Sequence, residues 1–302
     1  MLRCQFWRCG SGTKVCLRPV AESRGRFGQR ASARAWFVFS RVAGTFQTGW
    51  IARMGFLVTC EHGSRAVPET VAGLLDADGG AGCVDIESGY DLGAAEVART
   101  FASELACPVV EAPCHPAVID CNRPVGHRRL FSKPLRSAPA ELREWLIREL
   151  HQRHERQVRR GLEESIARDG QVIHLAVHSF APFEPGATAE GVHRFDAARR
   201  TDLGLLYDPA RSLETLLCDR WVWRLYETLP NLRVRRNYPI RGTRDGLTKR
   251  LRQTFGEDRY LGVELQLNQA WCGRSLPIGR TTSHGIIAAL AELCGQRQAF
   301  AA

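Results

Sequence analysis

The sequence predicts an α/β fold with one mostly parallel or mixed central sheet and helices on both faces, and three observations carry that prediction. Short strand-like runs alternate with segments of helical period from residue 54 to residue 302. No Pro-, Gly- or Ser-rich linker divides that stretch, so it reads as a single domain. With 44% hydrophobic and 25% charged residues it buries its own core, and no apolar run approaches the roughly 18 residues a membrane-spanning helix needs.

The elements follow in order. Met54 leads into a first strand at Phe56–Cys60, and a helix is expected from Asp91 to Leu105. Strands are expected at Val109–Glu111 and Val118–Asp120. A long helix then runs from Pro139 to Arg168, starting at its proline because the first helical position needs no N–H donor. Leu142, Leu146, Leu150, Val158, Leu162 and Ile166 stand at multiples of four along it, an apolar stripe facing a core, and His154 fills the gap as a buried structural residue. A strand at Val172–Ser179, a helix at Ser212–Leu229, strands at Arg233–Arg235 and Tyr260–Leu267, and a closing helix at Ser283–Cys294 complete the chain.

Residues 1–53 read differently. The chain carries a formal charge of +10, and the first 54 residues hold ten basic side chains against one acid, Glu22. That segment is +9, which leaves the remainder at about +1 and electrostatically ordinary. Arg-, Ser- and Gly-rich and without sustained period, it is expected to be a disordered basic extension: an over-long start preceding Met54, an organellar transit segment, or an arm for nucleic acid. A nucleic-acid partner is not expected for residues 54–302. The eleven cysteines include no C-x-x-C pair, which points to reduced thiols and a cytoplasmic protein. Nothing in the sequence speaks to oligomeric state.

In a sheet of this kind reactive groups gather at the carboxyl ends of strands. Those ends read Cys60-Glu61-His62-Gly63-Ser64, Asp120-Cys121-Asn122-Arg123 and His178-Ser179-Phe180, and the strand at 260 carries Glu264. A catalytic zinc takes three N or O protein ligands and leaves one position open. His62 and His178 supply two. Asp91, which opens the helix after the first strand, is the preferred third, with Glu61 as the alternative; neighbours on an extended chain point to opposite sides. Asp91 also fits a helix N-cap.

These motifs, with Val67-Pro68, Asp91-Leu92-Gly93-Ala94, Asn237-Tyr238-Pro239-Ile240-Arg241-Gly242 and Gly262-Val263-Glu264-Leu265-Gln266-Leu267-Asn268, resemble the N-formylglutamate amidohydrolase family, related in layout to aspartoacylase and the zinc carboxypeptidases. The resemblance spans about residues 55–269. It implies a zinc-carboxypeptidase-like fold, one zinc per chain on His62, Asp91 and His178, Asn122 and Arg123 gripping a substrate carboxylate, and Glu264 as general base and then acid. The implied activity is cleavage of the amide of a small N-acyl, N-formyl-like, amino acid or related carboxylate. The segment Thr201–Arg211 sets this chain apart from the histidine-degrading members, so the acyl group stays open. The polar, Arg-rich stretch Asn237–Thr248 is expected to be a loop able to close over the substrate.

Two other classes compete. Cys60, two residues before His62, and Cys121 allow a cysteine-dependent hydrolase, which thiol alkylation rather than chelation would inhibit. A non-catalytic protein binding nucleic acid through its basic front would lose salt-dependent binding on truncation of residues 1–53. His174, four residues before His178, is expected to be packed or hydrogen-bonded, and His115, His127 and His284 to be loop or helix-entry residues.

Overall fold

The structure, a computed structural model, describes residues 54–76, 89–182, 201–271 and 280–295. The expected extension over residues 1–53 lies outside the described residues. Six strands form one sheet: β1 (Met54–Cys60), β2 (Val109–Glu111), β3 (Gln171–Phe180), β4 (Leu203–Leu206), β5 (Val234–Arg236) and β6 (Tyr260–Asn268). Their order is β2-β1-β3-β6-β4-β5. β2, β1, β3 and β6 run parallel, β4 runs antiparallel to β6, and β4 and β5 are parallel to each other. The sheet is thus mixed and mostly parallel, and its two edges are three-residue strands, too short to template pairing with another chain.

Alternation along the central strands decides what each face carries. One face presents Phe56, Val58 and Cys60 of β1, Ile173, Leu175 and Val177 of β3, and Val263 and Leu265 of β6 to a large apolar core. The helices Ala94–Glu104 (α2), Ser212–Thr228 (α6) and Arg280–Leu293 (α8) close that core. The opposite face begins apolar, with Leu57, Val172 and Tyr260 packed under Gln152–Asp169 (α5) and Leu247–Thr254 (α7). Toward the carboxyl ends it turns polar: Thr59, His174, His178, Glu264 and Gln266 are all buried there.

The expected long helix is divided. Ala140–Leu146 (α4) passes through a π-helical turn at Ile147–His151 into α5. The spacing of the stripe supplies the reason. Each step of four overshoots a 3.6-residue turn by about 40°, and one wider turn takes up the accumulated rotation. Up to and within that turn Leu142, Leu146 and Leu150 pack with Val118, Ile119, Leu130 and Leu135; after it Val158, Leu162 and Ile166 pack against Leu57 and Tyr260.

Other expectations are corrected. Val118–Asp120 is not a strand: Val118 closes a turn, its N–H bonding the His115 carbonyl, and Asp120 N–H bonds the Leu130 carbonyl. Val118 and Ile119 are fully buried in the smaller core, and a short apolar run reads alike in either setting. The helix expected from Asp91 begins at Ala94, with Gly93 at its N-cap at φ 78°. β4, α7, the helix Glu69–Asp76 (α1) and the single turn Lys133–Arg136 (α3) were not anticipated. Among the described residues no helix is long and apolar enough to cross a membrane.

Candidate metal centre

From β1 the chain crosses to β2 on one side and, later, to β3 on the other, so the gap beyond the carboxyl ends of β1 and β3 is a topological switch point, where open α/β sheets place their ligands. His62 lies two residues past β1 and His178 two residues before the end of β3. The chain turns sharply after His62. A Cβ at Gly63 would lie 2.6 Å from Cys60 Sγ and 2.8 Å from Ala95 Cβ, so glycine there lets α2 pack close behind the turn. Asp91 is brought back to the same turn by its own N–H, which bonds the His62 carbonyl at 3.0 Å.

His62, Asp91 and His178 each offer a ligand atom within 4.8 Å of the others. Asp91 Oδ2 lies 2.7 Å from His178 Nδ1 and 3.5 Å from His62 Nδ1. The second ring nitrogens face other carboxylates: His62 Nε2 is 2.8 Å from Asp120 Oδ1, and His178 Nε2 is 3.1 Å from Glu61 Oε2. Two imidazoles and a carboxylate converge while each imidazole is backed by a further carboxylate, and that donor set suits a divalent metal with an open coordination position. Asp91 makes no side-chain cap to α2; its carboxylate is turned to the histidines.

The electrostatics agree with a cation site. Burial disfavours a charged His62, yet the Asp120 carboxylate, in contact with it, and Asp91 beyond pull the ring up to about 10. Burial is likewise outweighed at His178, which Asp91 and Glu61 raise well above the ordinary histidine range. Burial would raise Asp91, Asp120 and Glu61, but their histidine partners hold all three below the usual carboxylate range. In the metal-free protein two imidazolium protons and Arg123 therefore balance three carboxylates, and a dication replacing the two protons keeps that balance.

Asp120, which the sequence reading left outside the site, ties it together. Its Oδ1 also accepts Asn122 N–H at 2.9 Å, and its Oδ2 accepts from Arg123 Nε at 3.3 Å. Arg123 Nη1 donates to the Asp245 carbonyl at 2.8 Å, and the Arg123 carbonyl lies 2.7 Å from Nε2 of His151, in the π-helical turn. Asn122 is spent on the chain itself: Oδ1 accepts Leu247 N–H at 2.7 Å, and Nδ2 lies 3.5 Å from His178 Nε2. That contact anchors the start of α7, whose Thr248 hydroxyl donates to Glu264 Oε1. Glu264 is buried on the His178 face; Gln266 is the residue paired with His178, and Glu264 sits one side-chain step back toward the amino end of β6.

The stretch Asn237–Thr248 is held down. Asn237 Oδ1 accepts Gly242 N–H at 2.8 Å, Asn237 N–H bonds the Leu205 carbonyl, Arg252 Nη1 donates to the Gly242 carbonyl at 2.7 Å, and residues from Leu247 onward are helical. The stretch is a loop as far as Gly246, braced at Asn237 and Gly242 and exposed at Arg241 and at residues 243–245. His174 bridges Thr59 and Tyr260, His115 and His127 accept nearby backbone N–H groups, and His284 contacts Glu104. His154 is buried as the stripe requires. Cys60 and Cys121 lie in the interior, where burial first, and then Glu61 and Asp91 for Cys60 and Cys114 and Asp120 for Cys121, push their thiols well above the ordinary value, the reverse of what a thiolate nucleophile needs.

Fold and site define a class: a mixed α/β protein with a group of side chains able to hold a metal at the carboxyl ends of its strands. The model of the N-formylglutamate amidohydrolase family matches residues 54–272. The chain belongs to that family, whose activity is hydrolysis of amide bonds. In fold it is similar to the gene product Atu2144 from Agrobacterium tumefaciens, at 24% identity and a TM-score of 0.59 over 83% of this chain and 92% of that one. It is also similar to an N-formylglutamate amidohydrolase from Ralstonia eutropha JMP134, at 15% identity and a TM-score of 0.56 over 80% and 93% of the two chains. No curated protein matches this chain.

Proposed function

We propose that this chain is a zinc-dependent amidohydrolase that cleaves a small N-acyl, N-formyl-like, amino acid or related carboxylate. The observation that carries the reading is the convergence of His62, Asp91 and His178, with the outer nitrogen of each imidazole facing its own carboxylate. Those three residues would hold one zinc. When bound, zinc lowers the pKa of its water toward neutrality and polarises a carbonyl oxygen.

The chain's own residues do the rest. Glu264 takes the proton from the attacking water and returns it to the leaving nitrogen. Thr248 holds one carboxylate oxygen of Glu264 and so orients the other. Arg123 grips the substrate carboxylate, since Nη2 of its guanidinium makes no hydrogen bond among the described residues and a guanidinium is a carboxylate's best bidentate partner. Asn122 sets the frame between them by fixing Leu247 and approaching His178. Orientation of this kind supplies rate without chemistry. The six unpaired cysteines among the described residues support a cytoplasmic setting.

Elemental analysis of the purified protein, with His62→Ala and His178→Ala beside it, tests the reading. About one zinc per chain, lost in both variants, is expected. A folded protein that takes up no zinc even when supplied with it would sink the proposal.

A further inference from the structure

Glu61 is the buried group that the hydrolytic reading leaves unused. It is 1% exposed, and among the described residues neither carboxylate oxygen meets a hydrogen bond of strict geometry, its nearby donors being His178 and Thr59. A buried carboxylate in that condition is costly unless it serves a partner of opposite sign. Its near neighbour is His178, whose Nε2 is 3.1 Å from Glu61 Oε2. Behind it stands the buried ring of His154, whose nitrogens likewise meet no hydrogen bond of strict geometry among the described residues. The strand pattern explains the meeting: Leu57, Thr59 and Glu61 alternate onto the face that also carries His174, Ala176 and His178.

The two imidazoles of the centre repeat one arrangement. His62 turns Nδ1 toward Asp91 and Nε2 to Asp120; His178 turns Nδ1 to Asp91 and Nε2 to Glu61. The two nitrogens of an imidazole point their lone pairs in diverging directions, so a carboxylate seated at Nε2 cannot share a metal ion with Nδ1 of the same ring. We infer that Glu61 is a positioning residue and not a metal ligand: it accepts the Nε2–H of His178, fixing the tautomer and ring angle that present Nδ1 to the metal. This rests on the metal-centre reading above.

The test uses the full chain and zinc itself, with affinity measured by competition against a chromophoric chelator for the wild type, Glu61→Ala, Glu61→Gln and Asp91→Ala. The wild type and both Glu61 variants are expected to bind one zinc. Glu61→Ala should bind about 10- to 100-fold more weakly, with Glu61→Gln in between because its amide oxygen still accepts the Nε2–H. Unchanged affinity in Glu61→Ala overturns the inference. So does loss as complete as in Asp91→Ala, which would make Glu61 a ligand. A wild type that binds no zinc is a different result and removes the metal-centre reading itself. Should Glu61→Ala fail to fold, nitrogen-15 NMR of the zinc-loaded wild type decides: a proton on His178 Nε2 is expected, and zinc on Nε2 overturns the inference.

Discussion

Acid is expected to destabilise the metal-free protein in good part through one residue, His174. The ring is fully buried, with Nε2 2.9 Å from the Thr59 hydroxyl and Nδ1 2.8 Å from the Tyr260 hydroxyl, and burial pushes it down to about 4. In the unfolded chain it titrates near about 6.5. Between those values the unfolded state binds a proton that the folded state refuses. The contribution is therefore whole above about pH 6.5 and is lost as pH falls toward 4. A gap of about 2.5 units at 1.36 kcal/mol each makes the full loss about 3 kcal/mol, and about 2 kcal/mol of it is gone by pH 5. Set against a typical total of about 5–15 kcal/mol, that is a large share. Urea unfolding at pH 7 and pH 5, with metal chelated, measures it in the wild type and in His174→Gln, which keeps a donor and an acceptor but cannot titrate. The wild type should lose about 2 kcal/mol more than the variant over that interval; the other titrating groups are common to both and cancel. Equal losses would refute the account of His174 as a neutral, buried bridge.

Two further outcomes are expected. His62 is held at about 10 and His178 well above its ordinary value, so both rings are protonated at pH 7 in the metal-free protein. Zinc uptake at that pH should release about two protons, read by calorimetry in buffers of different ionisation enthalpy; release of none would show the rings already neutral. Gly204→Ala would drive a Cβ into the Tyr238 carbonyl oxygen, a backbone atom that cannot swing aside. The expected cost is about 3 kcal/mol, a fall in Tm of roughly 6–12 °C, and an unchanged melt would mean that the Asn237–Gly242 segment is not braced against β4 as described.

Much of the sheet was legible because buried strands advertise themselves locally. The runs at 56–60, 172–179 and 260–267 are mostly apolar, and their two-residue alternation assigns each side chain to a face with no knowledge of the neighbours. The same rule placed His178 and Glu264 on one face and set Glu61 apart from Cys60. Elements with little apolar content escaped. α7 offers only Leu247 and Leu251 to the core, one helical repeat, and its remaining residues read as a polar loop. The division at Ile147–His151 escaped for another reason: the stripe continues unbroken through it, and only the presence of two separate cores shows why the helix had to change pitch there.

The site was legible in its histidines and opaque in what supports them. His62 and His178 stand at strand ends, where position alone marks them. Asp120 meets His62 across 58 residues of sequence, Asp91 meets His178 across 87, and Asn122 meets Leu247 across 125. No local pattern encodes such pairings, because each is set by where whole strands and turns dock. Asn122-Arg123 shows the consequence most sharply. A polar pair in a turn is equally suited to gripping a ligand and to gripping the chain, and both residues have contacts within the chain: the Asn122 amide fixes the start of α7, while Arg123 ties Asp120 by Nε and the Asp245 carbonyl by Nη1. Asp120, between His62 and Arg123, contacts both through one carboxylate, so a change there should disturb the placement of both side chains at once.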